Sequence, residues 1–188
     1  MNASISSRRK FIAKTALALA GTTLLTSAKS FASLFKNGAT HYLLEGYQAI
    51  PELKNDLRTT ILGKTLKVSG TLFSKETELQ PCSNALIEVW HLSPNSGDYH
   101  RGKLITDECG RFTFWTDFPN RTKGMYPRIL FKATTHERSE ITELILDSHH
   151  AHISHTHWEK NKELGEKLFP KHSSSSLEGE VEFNFIIN

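Results

Sequence analysis

From residue 66 to its end the chain advances in short runs of alternating apolar and polar residues, and that rhythm is the strongest limit on its fold. Residues 66–72 alternate, 85–91 are apolar at almost every position but Glu88, and 111–116 alternate again. Further runs follow at 128–134, 141–146 and 180–187. A period of two sends successive side chains to opposite faces, as in a half-buried strand. Turn-forming stretches separate the runs: Pro94-Asn95-Ser96-Gly97, Asp107-Glu108-Cys109-Gly110 and Pro119-Asn120. Many short strands with almost no helix between them must bury their apolar faces against a second sheet, so the expected class is an all-β sandwich.

One short helix is expected in the C-terminal half. Thr156 and Glu159 fit a capping box, and Trp158, Leu164 and Leu168 give an apolar stripe that ends at Pro170. His172 and the serines 173–176 read as a loop before the last strand.

The first residues do not belong to this pattern. Ser7-Arg8-Arg9-Lys10-Phe11-Ile12 is basic, residues 16–25 are weakly apolar, and Ser30-Phe31-Ala32 is a small-x-small cleavage sequence. That layout is an export signal, and the paired arginines with Lys-Phe-Ile behind them make it a twin-arginine signal. The apolar run is too short for a permanent membrane anchor. The expected organisation is a signal at 1–32, a poorly periodic lead-in at 33–60, and one sandwich domain at 61–188, with a periplasmic or extracellular destination. The lead-in would cover a sheet edge or make a subunit contact, which leaves a homo-oligomer open.

Charge follows from the same division. The chain carries 23 Lys and Arg against 20 Asp and Glu, and five of the basic residues lie in 1–32. The remaining 18 basic residues against 20 acidic ones leave a net charge of −2. A mildly acidic domain without a basic stripe offers nothing to a nucleic acid. Cys82 and Cys109 are the only cysteines, too few for a disulfide scaffold; they either pair or remain thiols.

Several motifs stand in one order along residues 66–114. Val68-Ser69-Gly70-Thr71-Leu72 comes first, then Asn84-Ala85-Leu86-Ile87-Glu88-Val89-Trp90-His91 and Gly97-Asp98-Tyr99. Arg101-Gly102-Lys103 and Thr106-Asp107-Glu108-Cys109-Gly110-Arg111-Phe112-Thr113-Phe114 complete the series. Together they resemble the intradiol ring-cleavage dioxygenases. The resemblance thins through Ile141-Thr142-Glu143-Leu144, where Glu143 replaces the usual glutamine. It implies a β-sandwich of the intradiol dioxygenase/transthyretin-like type and a non-haem Fe(3+) held by two tyrosinates and two imidazoles. The implied substrate is a catechol-type aromatic, opened by O₂ between its hydroxylated carbons. Tyr99 matches the first tyrosinate and Tyr126, in Tyr126-Pro127, the second.

The pattern breaks at the imidazoles. Where the family carries a His-x-His strand, this chain has Arg128 and Leu130. Leucine has no donor atom, and arginine stays protonated. Five histidines crowd into the next polar segment: His149, His150, His152, His155 and His157. Such density is a metal-binding composition. One expectation is an iron site rebuilt from Tyr99, Tyr126 and part of this cluster, with His149, His152 and His155 as candidate ligands. Two others compete with it: a non-catalytic sandwich acting as a binding module in the envelope, and a protein that holds zinc or copper on the histidines alone.

Overall fold

The computed structural model of the protein describes residues 42–59, 63–75, 78–175 and 178–188. The expected signal at 1–32 and the first part of the lead-in lie outside them. Among the described residues eleven strands form two sheets: β1 (Thr65–Lys75), β2 (Leu79–Pro81), β3 (Leu86–Leu92), β4 (Tyr99–Ile105), β5 (Arg111–Asp117), β6 (Arg128–Thr134), β7 (Ser139–Leu146), β8 (Ala151–Ile153), β9 (Lys171–Ser174), β10 (Glu178–Glu182) and β11 (Phe185–Ile187). One sheet is antiparallel throughout, in the order β4-β3-β6-β7-β8. In the other, β1 is central, with β5 and β2 antiparallel along one side, β10 and β11 parallel along the other, and β9 beyond β10. The expected sandwich is therefore the observed class. Among the described residues no helix is long and apolar enough to cross a membrane.

Alternation decides what goes inside. Ile87 and Val89 on β3, and Ile129, Phe131 and Ala133 on β6, enter the core, where they meet Phe112 and Phe114 from β5. Phe131 is the hub: its ring lies 6.1 Å from Phe112, 6.0 Å from Phe114, 5.0 Å from Phe183 and 5.8 Å from Phe185. These are edge and tilted contacts, the arrangements that aromatic quadrupoles favour.

The alternate residues face the other side of the sheet, and three polar ones among them, Glu88, Lys132 and Glu143, are buried all the same. The lead-in covers them. After a 3-10 turn at Tyr42–Leu44 it runs across this sheet to an isolated bridge from Lys54 to Lys103, and then bridges the other sheet from Asp56 to Trp115. Its carbonyls take up donors that the sheet presents. The Glu45 oxygen accepts from Trp90 Nε1 at 3.0 Å, the Gly46 oxygen from Arg101 Nη2 at 2.9 Å, and the Ile50 oxygen from Lys103 Nζ at 3.1 Å. Tyr47 adds a hydroxyl that donates to Glu88 and accepts from Lys132 Nζ at 2.9 Å, while Lys132 also reaches Glu88 at 3.0 Å. Buried charges are tolerated when paired and hydrogen-bonded in this way. Burial and the Glu88 charge push the Tyr47 phenol far up.

Three expectations change in detail. The helix α1 spans His155–Asn161, and its N-cap is Ser154, not Thr156, because the Ser154 hydroxyl accepts from the His157 amide. A 3-10 segment at Lys162–Leu168 continues it, broken at Gly165 by a positive φ. The serine-rich stretch is not all loop, since Lys171–Ser174 is an edge strand paired to β10. An edge strand carrying polar residues shows no hydrophobic alternation, so its sequence reads as a turn. The final run is two strands, because Phe183 and Asn184 leave the ladder at Gly70. A Cβ at Gly70 would stand 1.8 Å from the Phe183 oxygen, and Asn184 Oδ1 accepts from the Thr71 amide at 2.8 Å. Cys82 and Cys109 are not bonded to one another, and Cys109 is exposed.

Candidate functional site

The start of β4, the end of β3 and the start of β6 enclose a small pocket, with the lead-in and the loop before β6 as its other walls. Tyr99, Leu92, Arg128, Leu130 and Tyr42 line it, and Asn120, Thr122 and Met125 close the loop side. Its volume is about 20 Å³. That holds one or two waters, at roughly 10–15 Å³ each.

Tyr99 is placed by a close backbone approach. Its ring lies over Gly46, where an added Cβ would come within 2.3 Å of it, and Gly46 has φ +75°. Only glycine fits both conditions. Burial and the Glu45 carboxylate raise the Tyr99 pKa, with Arg101 pulling the other way. The ring is therefore held as the neutral phenol.

Arg128 and Leu130 stand on the same wall as Tyr99, at the two positions that the resemblance assigns to imidazoles. Arg128 is committed to another partner. Its Nη1 donates to Glu143 Oε2 at 2.6 Å, with side-chain exposures of 19% and 4%. Tyr42 donates from its hydroxyl to the other Glu143 oxygen at 3.0 Å, and its ring lies 5.7 Å from the Arg128 guanidinium. Burial, then the Glu143 charge and hydrogen bond, hold the Tyr42 phenol up at about 12, against the opposing pull of Arg128. The result is a closed Arg–Glu–Tyr network in which every charge is matched.

His91, on the inner wall of the pocket, belongs to a second polar cluster. His91 is 1% exposed; its Nδ1 lies 3.0 Å from the Leu92 oxygen and its Nε2 2.5 Å from Thr116 Oγ1. Leu92 O can only accept, so His91 carries its proton on Nδ1 and its Nε2 accepts a hydrogen bond from the Thr116 hydroxyl. Burial lowers the His91 pKa to about 4. The His100 ring packs 4.9 Å from it.

The expected iron ligands do not converge. Tyr126 is 67% exposed in the loop before β6 and is not part of the pocket wall. His152 lies on β8, across the sheet from Tyr99. Tyr99 pairs with Leu92, Arg128 with Ile145, and Ile145 with His152, so the two are four strand steps apart. At ~4.8 Å per step that is roughly 19 Å. His149 is exposed in the β7–β8 turn, and His155 stacks on Trp158 with ring centroids 6.1 Å apart. His157 is buried in the core against Phe183, with its Nδ1 2.6 Å from Thr142 Oγ1. Among the described residues no three His, Cys, Asp or Glu stand together as donors for one ion. The family's ferric centre does not fit this wall, because a guanidinium and a leucine replace its two imidazoles.

The sequence singles out Tyr99 by its motif and Arg128, Leu130 and Glu143 by their departure from it; Arg128 and Glu143 are the ion-pair partners. It missed Tyr42, which sits in the aperiodic lead-in and carries no local signal.

No family model matches the chain. Over a 90-residue alignment covering 42% of its length, it is 38% identical to a chlorocatechol 1,2-dioxygenase of Pseudomonas putida. That stretch is 33% of the length of the curated relative, so the chain matches only about a third of it. Among solved structures, an intradiol ring-cleavage dioxygenase of Tetranychus urticae superposes with a TM-score of 0.55 at 20% identity, over 77% of this chain and 91% of that one. The dioxygenase domain of a carbohydrate-binding fusion protein from Streptomyces sp. SirexAA-E gives 0.54 at 22% identity, over 77% and 94%. The fold is that of the intradiol ring-cleavage dioxygenases. The chain is intradiol-dioxygenase-like in sequence and architecture, with Arg128, paired to Glu143, and Leu130 where that likeness calls for imidazole ligands.

Proposed function

We propose that this dioxygenase-like sandwich is an exported binding module for a small phenolic or catechol-type aromatic, and that it does not cleave the ring through iron. The observation that carries this reading is the Arg128–Glu143 ion pair on the pocket wall. A cation paired to a buried carboxylate repels Fe(3+) and denies it the donors that imidazoles supply. The pocket retains what a phenolic ligand needs: the Tyr99 and Leu130 walls, with Asn120, Thr122 and the Arg128 guanidinium as donors to an oxygen. At about 20 Å³ the pocket is too small for a ring, so this reading requires Thr122 and Met125 on the loop side to move aside. Export is supported by the basic, apolar and small-residue order of residues 1–32.

A second reading keeps the enzyme. It is favoured by Tyr99 on the pocket wall and by the stretch shared with a chlorocatechol 1,2-dioxygenase. It requires Arg128 to leave Glu143 and donors to gather around Tyr99.

One experiment separates them. The untagged full chain is incubated with iron and assayed for bound metal, for visible tyrosinate-to-iron colour, and for O₂ uptake with catechol and chlorocatechol. Calorimetric titration with the same compounds follows. The proposal expects saturable catechol binding without colour or O₂ uptake. Colour with a ring-opened product overturns it in favour of the enzyme, and failure to bind any catechol overturns the ligand.

A further inference from the structure

A larger depression than the pocket at Tyr99 lies where β4 of one sheet and β5 of the other run side by side. Its volume is about 370 Å³, within the range of ligand sites. The turn from Asp107 to Gly110 joins the two strands at one end, and Asn55 of the lead-in stands at the other. Leu104 and Phe112 are buried at its base, while Ile105, 51% exposed, lines it from β4.

The lead-in shows what these two edges bind. Lys54 exchanges both backbone hydrogen bonds with Lys103 of β4, at 2.7 and 2.9 Å. The chain then crosses to β5, where the Trp115 amide donates to Asn55 O and the Leu57 amide to Trp115 O, each at 2.8 Å. In a strand the N–H and C=O of one residue point to the same side, and successive residues alternate. Lys103 and Trp115 face the lead-in, so Ile105 and Thr113 turn their backbone groups to the same edges. None of the lead-in's backbone bonds reaches those two residues among the described ones. Beyond them the β5 edge is closed: the Arg111 amide donates to Asp107 Oδ1 at 2.8 Å, and Arg111 O accepts from the Asp107 amide at 2.9 Å. The groove thus offers two backbone donors and two acceptors over a length of two or three residues, at ~3.4 Å each.

Arg111 adds a charge at the closed end. Its Nε donates to Asp107 Oδ2 at 2.9 Å, and among the described residues its Nη1 and Nη2 have no partner. A guanidinium presents such nitrogens in a fork that matches a carboxylate.

We propose that this groove captures the C-terminal end of an extended peptide. The peptide's last residues pair through their backbone with Ile105 and Thr113, an apolar side chain packs on Ile105, and the terminal carboxylate meets Arg111. Strand addition and the capture of a chain terminus are both recurring modes of peptide recognition. The occupant belongs to another protein, because this chain's own C-terminal residues Phe185, Ile186 and Ile187 are buried in the sandwich. The site is independent of the pocket and of its proposed ligand.

The probe is the tripeptide acetyl-Thr-Val-Val with a free carboxylate, titrated into the untagged full chain by calorimetry and followed by amide hydrogen exchange. Expected is saturable binding that slows exchange at Ile105 and Thr113. The C-terminal amide of the same peptide binds ~10-fold more weakly, the worth of a charge-assisted hydrogen bond. A backbone N-methylated form loses affinity as well. R111Q removes the preference for carboxylate over amide; its ion pair is exposed, so the variant folds as the parent does, which circular dichroism checks. Four results overturn the proposal: Ile105 and Thr113 amides already protected in the free chain, no saturable binding, equal affinity for the carboxylate and amide forms, or a preference that survives R111Q.

Discussion

Replacing Arg128 by methionine leaves the Glu143 carboxylate buried with one hydrogen bond, from Tyr42, where it had two partners. Glu143 is 4% exposed and cannot recruit bulk water, whereas Arg128, at 19%, sits nearer the pocket mouth. Stranding one member of a buried pair costs ~3–5 kcal/mol, and partial hydration of this pocket places the cost near the lower end, at about 3 kcal/mol. For a unit of this size, a loss of about 3 kcal/mol lowers the melting temperature by roughly 6–12 °C.

The cost comes from an unpaired charge, so removing that charge restores stability. E143Q alone leaves Arg128 without its anion, but the guanidinium is partly hydrated and the loss is about 1 kcal/mol. In R128M/E143Q no charge is stranded, and the double variant falls within about 1 kcal/mol of the parent. The cycle, measured by urea denaturation with circular dichroism, therefore gives a coupling energy of at least about 3 kcal/mol. An R128M protein within ~0.5 kcal/mol of the parent, or additive single losses, refutes the view that Arg128 and Glu143 act as one coupled pair in the pocket wall.

Two other perturbations follow from the core. Phe131→Ala removes the ring on which Phe112, Phe114, Phe183 and Phe185 converge and costs ~3–5 kcal/mol, read by denaturant titration; a loss below ~1.5 kcal/mol would mean that the two sheets close over the gap. His91 and His157 are each 1% exposed, and burial lowers both to about 4. They stay neutral in the folded chain while the unfolded chain protonates near ~6.5, so their contribution is complete above that pH and declines as the pH falls towards about 4. Each accounts for a slope of up to ~1.4 kcal/mol per pH unit in that window. Urea titrations at neutral and acid pH should give a shallower loss for H157Q than for the parent, and an unchanged slope would assign the acid sensitivity to other groups.

The fold was legible because alternation is a local property. Ile87, Val89, Ile129 and Phe131 announce their inward face through their immediate neighbours, and the turns announce themselves through Asn, Asp, Gly and Pro. Strands without such alternation went unread. Residues 171–174 form a strand only because β10 offers an edge, and Phe183-Asn184 break a continuous-looking run because Gly70 admits a crossing backbone. The site was half legible for a related reason. Tyr99, Arg128 and Glu143 carry motif positions, so their identities could be weighed one at a time. Tyr42, which completes their network, comes from a segment with no periodicity, and the distance from Tyr99 to His152 is set by strand order, which no local pattern encodes.

Strand order also decides how the departures at Arg128 and Glu143 are to be understood. They are 15 residues apart in sequence but on adjacent strands, and each changes the charge expected at its position. A site that had simply decayed would leave isolated losses: a donor gone here, an unpaired polar atom there. Here a positive charge on β6 meets a negative charge on β7 at hydrogen-bond distance, and the remaining carboxylate oxygen is taken by Tyr42. Either substitution alone would bury an uncompensated ion, which is why the pair has to be read as one change. Buried ion pairs contribute little net stability compared with well-packed apolar residues. Stability alone therefore does not account for an arginine at this wall; what the pair does in the structure is fix the Arg128 guanidinium and the Tyr42 phenol at the pocket.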